Sequence, residues 1–171
     1  MPFIGVQIPV GSYGDAYDAG LKVGLLMGGH LSKVVSLNGE LNFELLNANS
    51  RAGDGTVTAF FVDALFSPLF HFGTPKIEGF VGPKLGYFGF SLSQSYESES
   101  ASKSAHGLAY GLNAGLGFPV GNIAIGGMFS YVRRHAFVAC ERDFDASSQT
   151  CSSNPGGGDA EAVAFSALVL F

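Results

Sequence analysis

The chain has 171 residues and a formal net charge of −5, with 47% hydrophobic but only 13% charged residues. Soluble domains carry about 25% charged residues, so this sequence is short of the groups that keep a surface in water. Its one basic cluster is the Arg133-Arg134 pair, which argues against binding a phosphate backbone, and no nucleic-acid partner is expected.

In chain order, the sequence falls into short segments that alternate with period two, as strands do when their two faces meet different surroundings. Residues 3–10 place Ile4, Val6, Ile8 and Val10 on one face. Residues 17–30 place Tyr17, Ala19, Leu21, Val23, Leu25 and Met27 against Asp18, Gly20, Lys22, Gly24, Leu26 and Gly28. The segment 35–47 is the cleanest, with Val35, Leu37, Leu41, Phe43 and Leu45 opposed by Ser36, Asn38, Glu40, Asn42 and Glu44. Residues 56–67 are mixed, because Phe61 and Leu65 fall opposite Phe60, Val62 and Phe66. Residues 77–92 contain Pro83, which cannot donate to a ladder, so a bulge is expected there. The alternation then returns in 106–118, 122–135 and 160–171. A helix would space its apolar residues three and four apart, and these segments do not.

Length decides what this pattern can be. A spanning helix needs about 20 apolar residues in a row, whereas runs such as Ala59-Phe60-Phe61-Val62 end after a few positions. Eight amphipathic strands with so much apolar surface suit a membrane only as a closed ring, because an open edge would leave backbone groups unpaired in hydrocarbon. The expectation is all-β: one domain over 1–171, an eight-stranded antiparallel up-and-down transmembrane barrel. The connections sort into tight ones (31–34, 68–76, 119–121) and longer polar ones near 48–55, 93–105 and 136–158, with 11–16 a short exception. Short turns on the periplasmic side and longer extracellular loops are usual for such barrels.

The segments Gly82-Pro83-Lys84-Leu85-Gly86-Tyr87 and Ala164-Phe165-Ser166-Ala167-Leu168-Val169-Leu170-Phe171, set among the alternating strands, resemble the small outer-membrane barrel family typified by the OmpA membrane domain and OmpX. A terminal aromatic closing an alternating strand is similar to the assembly signal of that family. The resemblance implies a bacterial outer-membrane location and export by a signal peptide. Met1-Pro2-Phe3 shows no such signal, so this chain is expected to lack it. With Phe171 as the last residue, no peptidoglycan-binding domain is expected to follow. Lipid contact, including lipopolysaccharide near Arg133, and a monomeric state are expected.

On this reading the inward face gathers a lumen network of Asp18, Lys22, Asn38, Glu40, Asn42, Glu44, Asp63, Glu78, Lys84, Asn113 and Arg134. Buried charges must be paired or wetted, so the network either fills the barrel or lines a narrow ion path that its acidic excess makes cation-preferring. Phe61, Phe80 and Phe88 would tighten a plug if they point inward. Tyr17, Tyr87, Tyr110 and Tyr131 are expected facing lipid at the outer interface and Phe171 at the inner one.

Cys140 and Cys151, the only cysteines, share the longest outer loop, which points to a disulfide in an oxidising compartment or else to two free thiols. His30-Leu31-Ser32 is similar to the His-x-Ser of outer-membrane lipid A deacylases. It falls at an expected periplasmic turn with no carboxylate at matching spacing, so no catalytic residue is assigned and no enzyme is expected. The four histidines lack metal-ligand spacing, and neither metal nor cofactor is expected. Three roles remain open. The first is a surface-binding or envelope-structural barrel, whose outer loops could meet an extracellular protein. The second is a small channel. The third is a soluble lipocalin-like barrel with the faces reversed.

Overall fold

The computed structural model describes residues 1–11, 14–15, 17–47, 56–96, 99–121, 123–142, 149–153 and 159–170. Its strands are β1 (Pro2–Val10), β2 (Gly20–His30), β3 (Val35–Asn47), β4 (Thr56–Thr74), β5 (Ile77–Tyr96), β6 (Glu99–Val120), β7 (Ile123–Arg142), β8 (Thr150–Ser152) and β9 (Ala160–Leu170). All pairings are antiparallel. Apart from the short β8, the strands run in ring order β1-β2-β3-β4-β5-β6-β7-β9, and β9 returns to β1 from Phe3↔Leu168 to Val10↔Glu161. The sheet is a closed eight-stranded barrel with the ends of β1 and β9 on the same side. No helix among the described residues is long and apolar enough to cross a membrane.

The register fixes the barrel's dimensions. From Val35 the cross-strand partners lead through Phe70, Val81, Ala114, Phe129, Phe165, Val6 and Leu21 back to β3 at Leu45, ten residues beyond the start. For eight strands at ordinary spacing that stagger tilts each strand by about 40° and leaves an interior just wide enough for side chains.

The outer wall is apolar. Ile4, Val6, Leu21, Phe66, Leu85, Leu112, Leu116, Ile125 and Phe165 are all exposed, while Lys22, Glu40, Asn42, Glu44, Asp63, Lys84 and Arg134 are buried in the interior. This inversion removes the lipocalin-like alternative, which needs Glu40 and Glu44 on the outside. Inward glycines make room for aromatics in so narrow a ring: a Cβ on Gly115 would lie 2.3 Å from the Phe80 ring, and one on Gly24 equally close to Phe3.

Several boundaries differ from the sequence expectation. The segment 68–76 is not a loop: β4 continues to Thr74, and the turn is confined to Pro75 and Lys76. The bulge expected at Pro83 is absent. Paired residues step from Phe66↔Leu85 to Phe70↔Val81 without a change of register. That register sets Pro68 opposite Pro83, so two residues without an N–H share a single interruption of the ladder. The irregularity in the sheet lies instead between His106 and Gly107, near the other end.

Most of 93–105 is ladder rather than loop, with Ser93↔Ser102 and Tyr96↔Glu99 paired. Likewise β7 runs to Arg142, and β8 folds back on it within the expected 136–158 loop. The expected loop 48–55 and the residue Phe171 lie outside the described residues.

The strands β5, β6 and β7 have 20, 22 and 20 residues, whereas about 9–11 residues suffice to cross a bilayer at this tilt. One side of the barrel therefore stands well clear of the membrane, at the end away from the tight turns. A charge placed within the apolar band should be costly and one placed above it should not. Leu116→Arg is expected to lower refolding stability in liposomes by about 2–4 kcal/mol, and Phe137→Arg by at most about 1 kcal/mol, read from urea titrations.

Candidate functional site

Alternation along β3 turns Ser36, Asn38, Glu40, Asn42 and Glu44 inward as one polar line. Opposite walls answer it. β7 is four places from β3 in the ring, and its Arg134 crosses the lumen to Glu44 at 2.6 Å and to both oxygens of Asp63 at 2.9 and 2.6 Å. Its guanidinium also lies 4.6 Å from the centre of the Phe61 ring, where the aromatic face supports a cation. Lys22 pairs with Glu44 at 3.3 Å, and Lys84 reaches Glu40 at 3.4 Å and the Ser130 hydroxyl. Asn42 and Asn113 donate to the two oxygens of Glu40 at 2.8 and 2.6 Å. These struts cross the lumen at this level.

The layer is electrically balanced. Its buried charges are Lys22, Lys84 and Arg134 against Glu40, Glu44 and Asp63. Asp18 and Glu78, expected from the sequence in the same network, lie elsewhere. Asp18 is exposed beyond the end of β2, and Glu78 stands at the mouth near the turns with its side chain 43% exposed. The acidic excess that would have made a channel cation-preferring is therefore not in the lumen. Two apolar clusters pack with the charged layer. Leu46, Phe61, Leu65, Phe88 and Val132 interleave with Asp63 and Arg134 and extend to the tall side, and Phe3, Leu26, Leu69, Phe80 and Met128 lie on the turn side. Phe61, Phe80 and Phe88 do point inward.

Tyr17 also departs from expectation. Instead of facing lipid, it lies ahead of β2, half-buried, and packs on the cluster of Leu46 and Phe61. Tyr87, Tyr110 and Tyr131 do lie on the outer wall, where apolar residues give way to His106, Arg133 and His135. Arg133 is engaged there by Glu161 at 3.3 Å and by Asp159, which His135 also contacts at 2.7 Å. Those hydrogen bonds, from His135 first and then Arg133, hold the Asp159 carboxyl below its ordinary range. On the tall wall Cys140 and Cys151 face each other between β7 and β8 and are joined as a disulfide, which excludes the free-thiol alternative.

Sequence reasoning missed a second polar group at the turn-side mouth. Ser36 Oγ lies 2.7 Å from His71 Nε2, and His71 Nδ1 lies 2.8 Å from Glu78 Oε1. Asn38 Nδ2 donates to Ser36 Oγ at 2.8 Å and to the Ser67 carbonyl at 3.3 Å. His30 lies tilted against His71 with ring centres 4.8 Å apart, while the Ser32 hydroxyl of the His30-Leu31-Ser32 motif accepts from the Val34 N–H. His30, Ser36, Asn38, His71 and Glu78 line a cavity of about 550 Å³ that also touches Leu26, Met27, Pro119 and Ile123. His71 sits beyond Pro68, in a stretch the sequence reading took for a turn, which is why the group was not foreseen.

No protein-family model and no curated protein sequence matches the chain. Its fold matches solved structures. Neisserial surface protein A aligns over 99% of this chain and 92% of its own, with 10% identity and a TM-score of 0.58. A major outer membrane protein from Thermus thermophilus aligns over 99% of both chains, with 13% identity and a TM-score of 0.59. The outer membrane protease OmpT from Escherichia coli aligns over 90% of this chain and 63% of its own, with 11% identity and a TM-score of 0.53. The fold is that of the small bacterial outer-membrane β-barrels.

Arg134 is the cross-strut on which two carboxylates depend. Arg134→Met should cost about 3–5 kcal/mol in urea titrations of the folded barrel, because Glu44 and Asp63 would remain buried without their main partner.

Proposed function

We propose that this protein is a monomeric barrel of the bacterial outer membrane whose lumen is closed and whose tall wall serves as a surface-binding or envelope-structural element. The observation that carries the reading is the length of β5, β6 and β7, about twice what a bilayer requires. A barrel needing only to be anchored has no use for so much ladder in water. The disulfide between Cys140 and Cys151 staples the top of that wall, and disulfides persist in oxidising surroundings outside the cytoplasm. The tight turns at the opposite end then face the periplasm.

In this orientation Tyr87, Tyr110 and Tyr131 stand at headgroup level, where an apolar ring with a polar tip is favoured. Arg133 is near lipopolysaccharide phosphates, which would have to compete with Asp159 and Glu161 for its guanidinium. The exposed Phe137 and the Lys103–Glu141 pair lie higher on the same wall, where an extracellular partner would dock. None of this requires catalysis.

A small channel is the competing role, and the balanced layer of struts interleaved with apolar side chains argues against it. Planar bilayers containing the folded protein are expected to show no conductance above lipid background, and discrete openings would reverse that judgement. Deletion of residues 138–156 should leave heat-modified gel mobility intact while cells displaying the barrel lose autoaggregation and retention on protein-coated surfaces. Unchanged retention would contradict the surface role.

A further inference from the structure

The mouth group is more than a polar rim, because its hydrogen bonds line up in one chain from Asn38 through Ser36 and His71 to Glu78. The Ser67 carbonyl can only accept, so Asn38 presents its N–H groups on that side and donates to Ser36 Oγ as well. At the far end, an ionised Glu78 can only accept, so His71 Nδ1 carries the proton. When the ring is neutral its Nε2 is bare, and Ser36 donates its hydroxyl proton to it. Serine, imidazole and carboxylate, supplied by β3, β4 and β5, thus stand in the order and tautomer in which a hydroxyl becomes a nucleophile.

We propose that Ser36, His71 and Glu78 form a serine-hydrolase centre acting on small carboxylic esters that enter the turn-side cavity. In the first half-reaction Ser36 Oγ bonds to the ester carbonyl carbon and its proton passes to His71 Nε2. The ester C–O bond breaks, and His71 returns that proton to the departing alcohol. In the second half-reaction water attacks the acyl-Ser36 carbonyl, His71 takes a proton from it, and cleavage of the acyl–Oγ bond releases the acid and restores the Ser36 hydroxyl. Glu78 touches no substrate and is a positioning residue that keeps the His71 tautomer. The Asn38 amide, 2.8 Å from the nucleophile, is placed to turn from Ser36 Oγ to the developing oxyanion.

The cavity supports this chemistry. Its volume of about 550 Å³ lies within the range of ligand pockets. Leu26, Met27, Pro119 and Ile123 offer an apolar wall for an acyl chain beside the polar group. His30-Leu31-Ser32, the motif the sequence suggested, supplies neither nucleophile nor base here. This centre is separate from the tall wall, and its test does not depend on the surface role.

The test uses the full chain folded in detergent, with heat-modified mobility checked for every variant. A fluorophosphonate should label the protein, with the adduct on the peptide containing Ser36, and p-nitrophenyl butyrate should be turned over. Ser36→Ala should abolish both while remaining folded. His71→Ala should slow labelling about 100-fold or more, with partial rescue by added imidazole. Glu78→Gln should lower kcat with KM unchanged, which loss of a merely structural contact would not do. A folded wild-type protein that takes no label, or label that persists in Ser36→Ala, would overturn the proposal. A structural relay only is the conclusion in either case.

Discussion

Everything in this barrel follows from the fact that hydrocarbon offers the backbone no hydrogen-bond partner. Each N–H and C=O that crosses the apolar band must be satisfied within the sheet, and only a ring leaves no edge. The β1–β9 ladder, from Phe3↔Leu168 to Val10↔Glu161, is where that requirement is met. Closure at a stagger of ten residues then sets the bore, and the bore sets what can occupy it. The inward glycines at Gly24 and Gly115, which admit Phe3 and Phe80, are consequences of the same narrow radius.

The interior is therefore a packed core made largely of charge. Taking carboxylates and cations out of water is costly, and Coulomb attraction offsets that cost only when partners are close and remaining sites are hydrogen-bonded. The barrel meets the first condition by reaching across the lumen, Arg134 to Glu44 and Asp63, and Lys84 to Glu40, while Lys22 Nζ, Glu44 Oε1 and Arg134 Nη1 are buried without a hydrogen-bond partner among the described residues. These struts also tie strands distant in sequence, so they select one register among the slips that a two-residue repeat would otherwise allow. Balance between three buried cations and three carboxylates leaves the layer no net charge with which to favour one sign of ion.

The sequence was readable wherever the two faces of a strand meet different solvents. The segment 35–47 was assigned to the residue, because lipid lies on one side of Leu41 and Phe43 and a polar lumen on the other side of Asn42 and Glu44. Where both faces meet water, the contrast vanishes. Ser93, Ser102 and their neighbours therefore read as loop although they are paired ladder. Pro68 and Pro83 misled in another way, since each alone suggests a break and only the register reveals that they face one another. The charged layer was largely legible from parity. Tyr17, Asp18 and Glu78 were not, because parity gives a side of the wall but not the height at which a strand ends. The Ser36–His71–Glu78 alignment joins three strands and has no local signature at all.

The barrel depends on the direction in which its apolar side chains look, and lipid-borne relaxation reads that direction. In nanodiscs containing a lipid with a spin label on its acyl chain, methyl NMR signals of Leu41, Leu112 and Ile125 should be strongly broadened. Those of Leu26, Leu46 and Leu69 should persist. Broadening of the second group with sparing of the first, or equal broadening of both, would contradict the closed, inverted barrel.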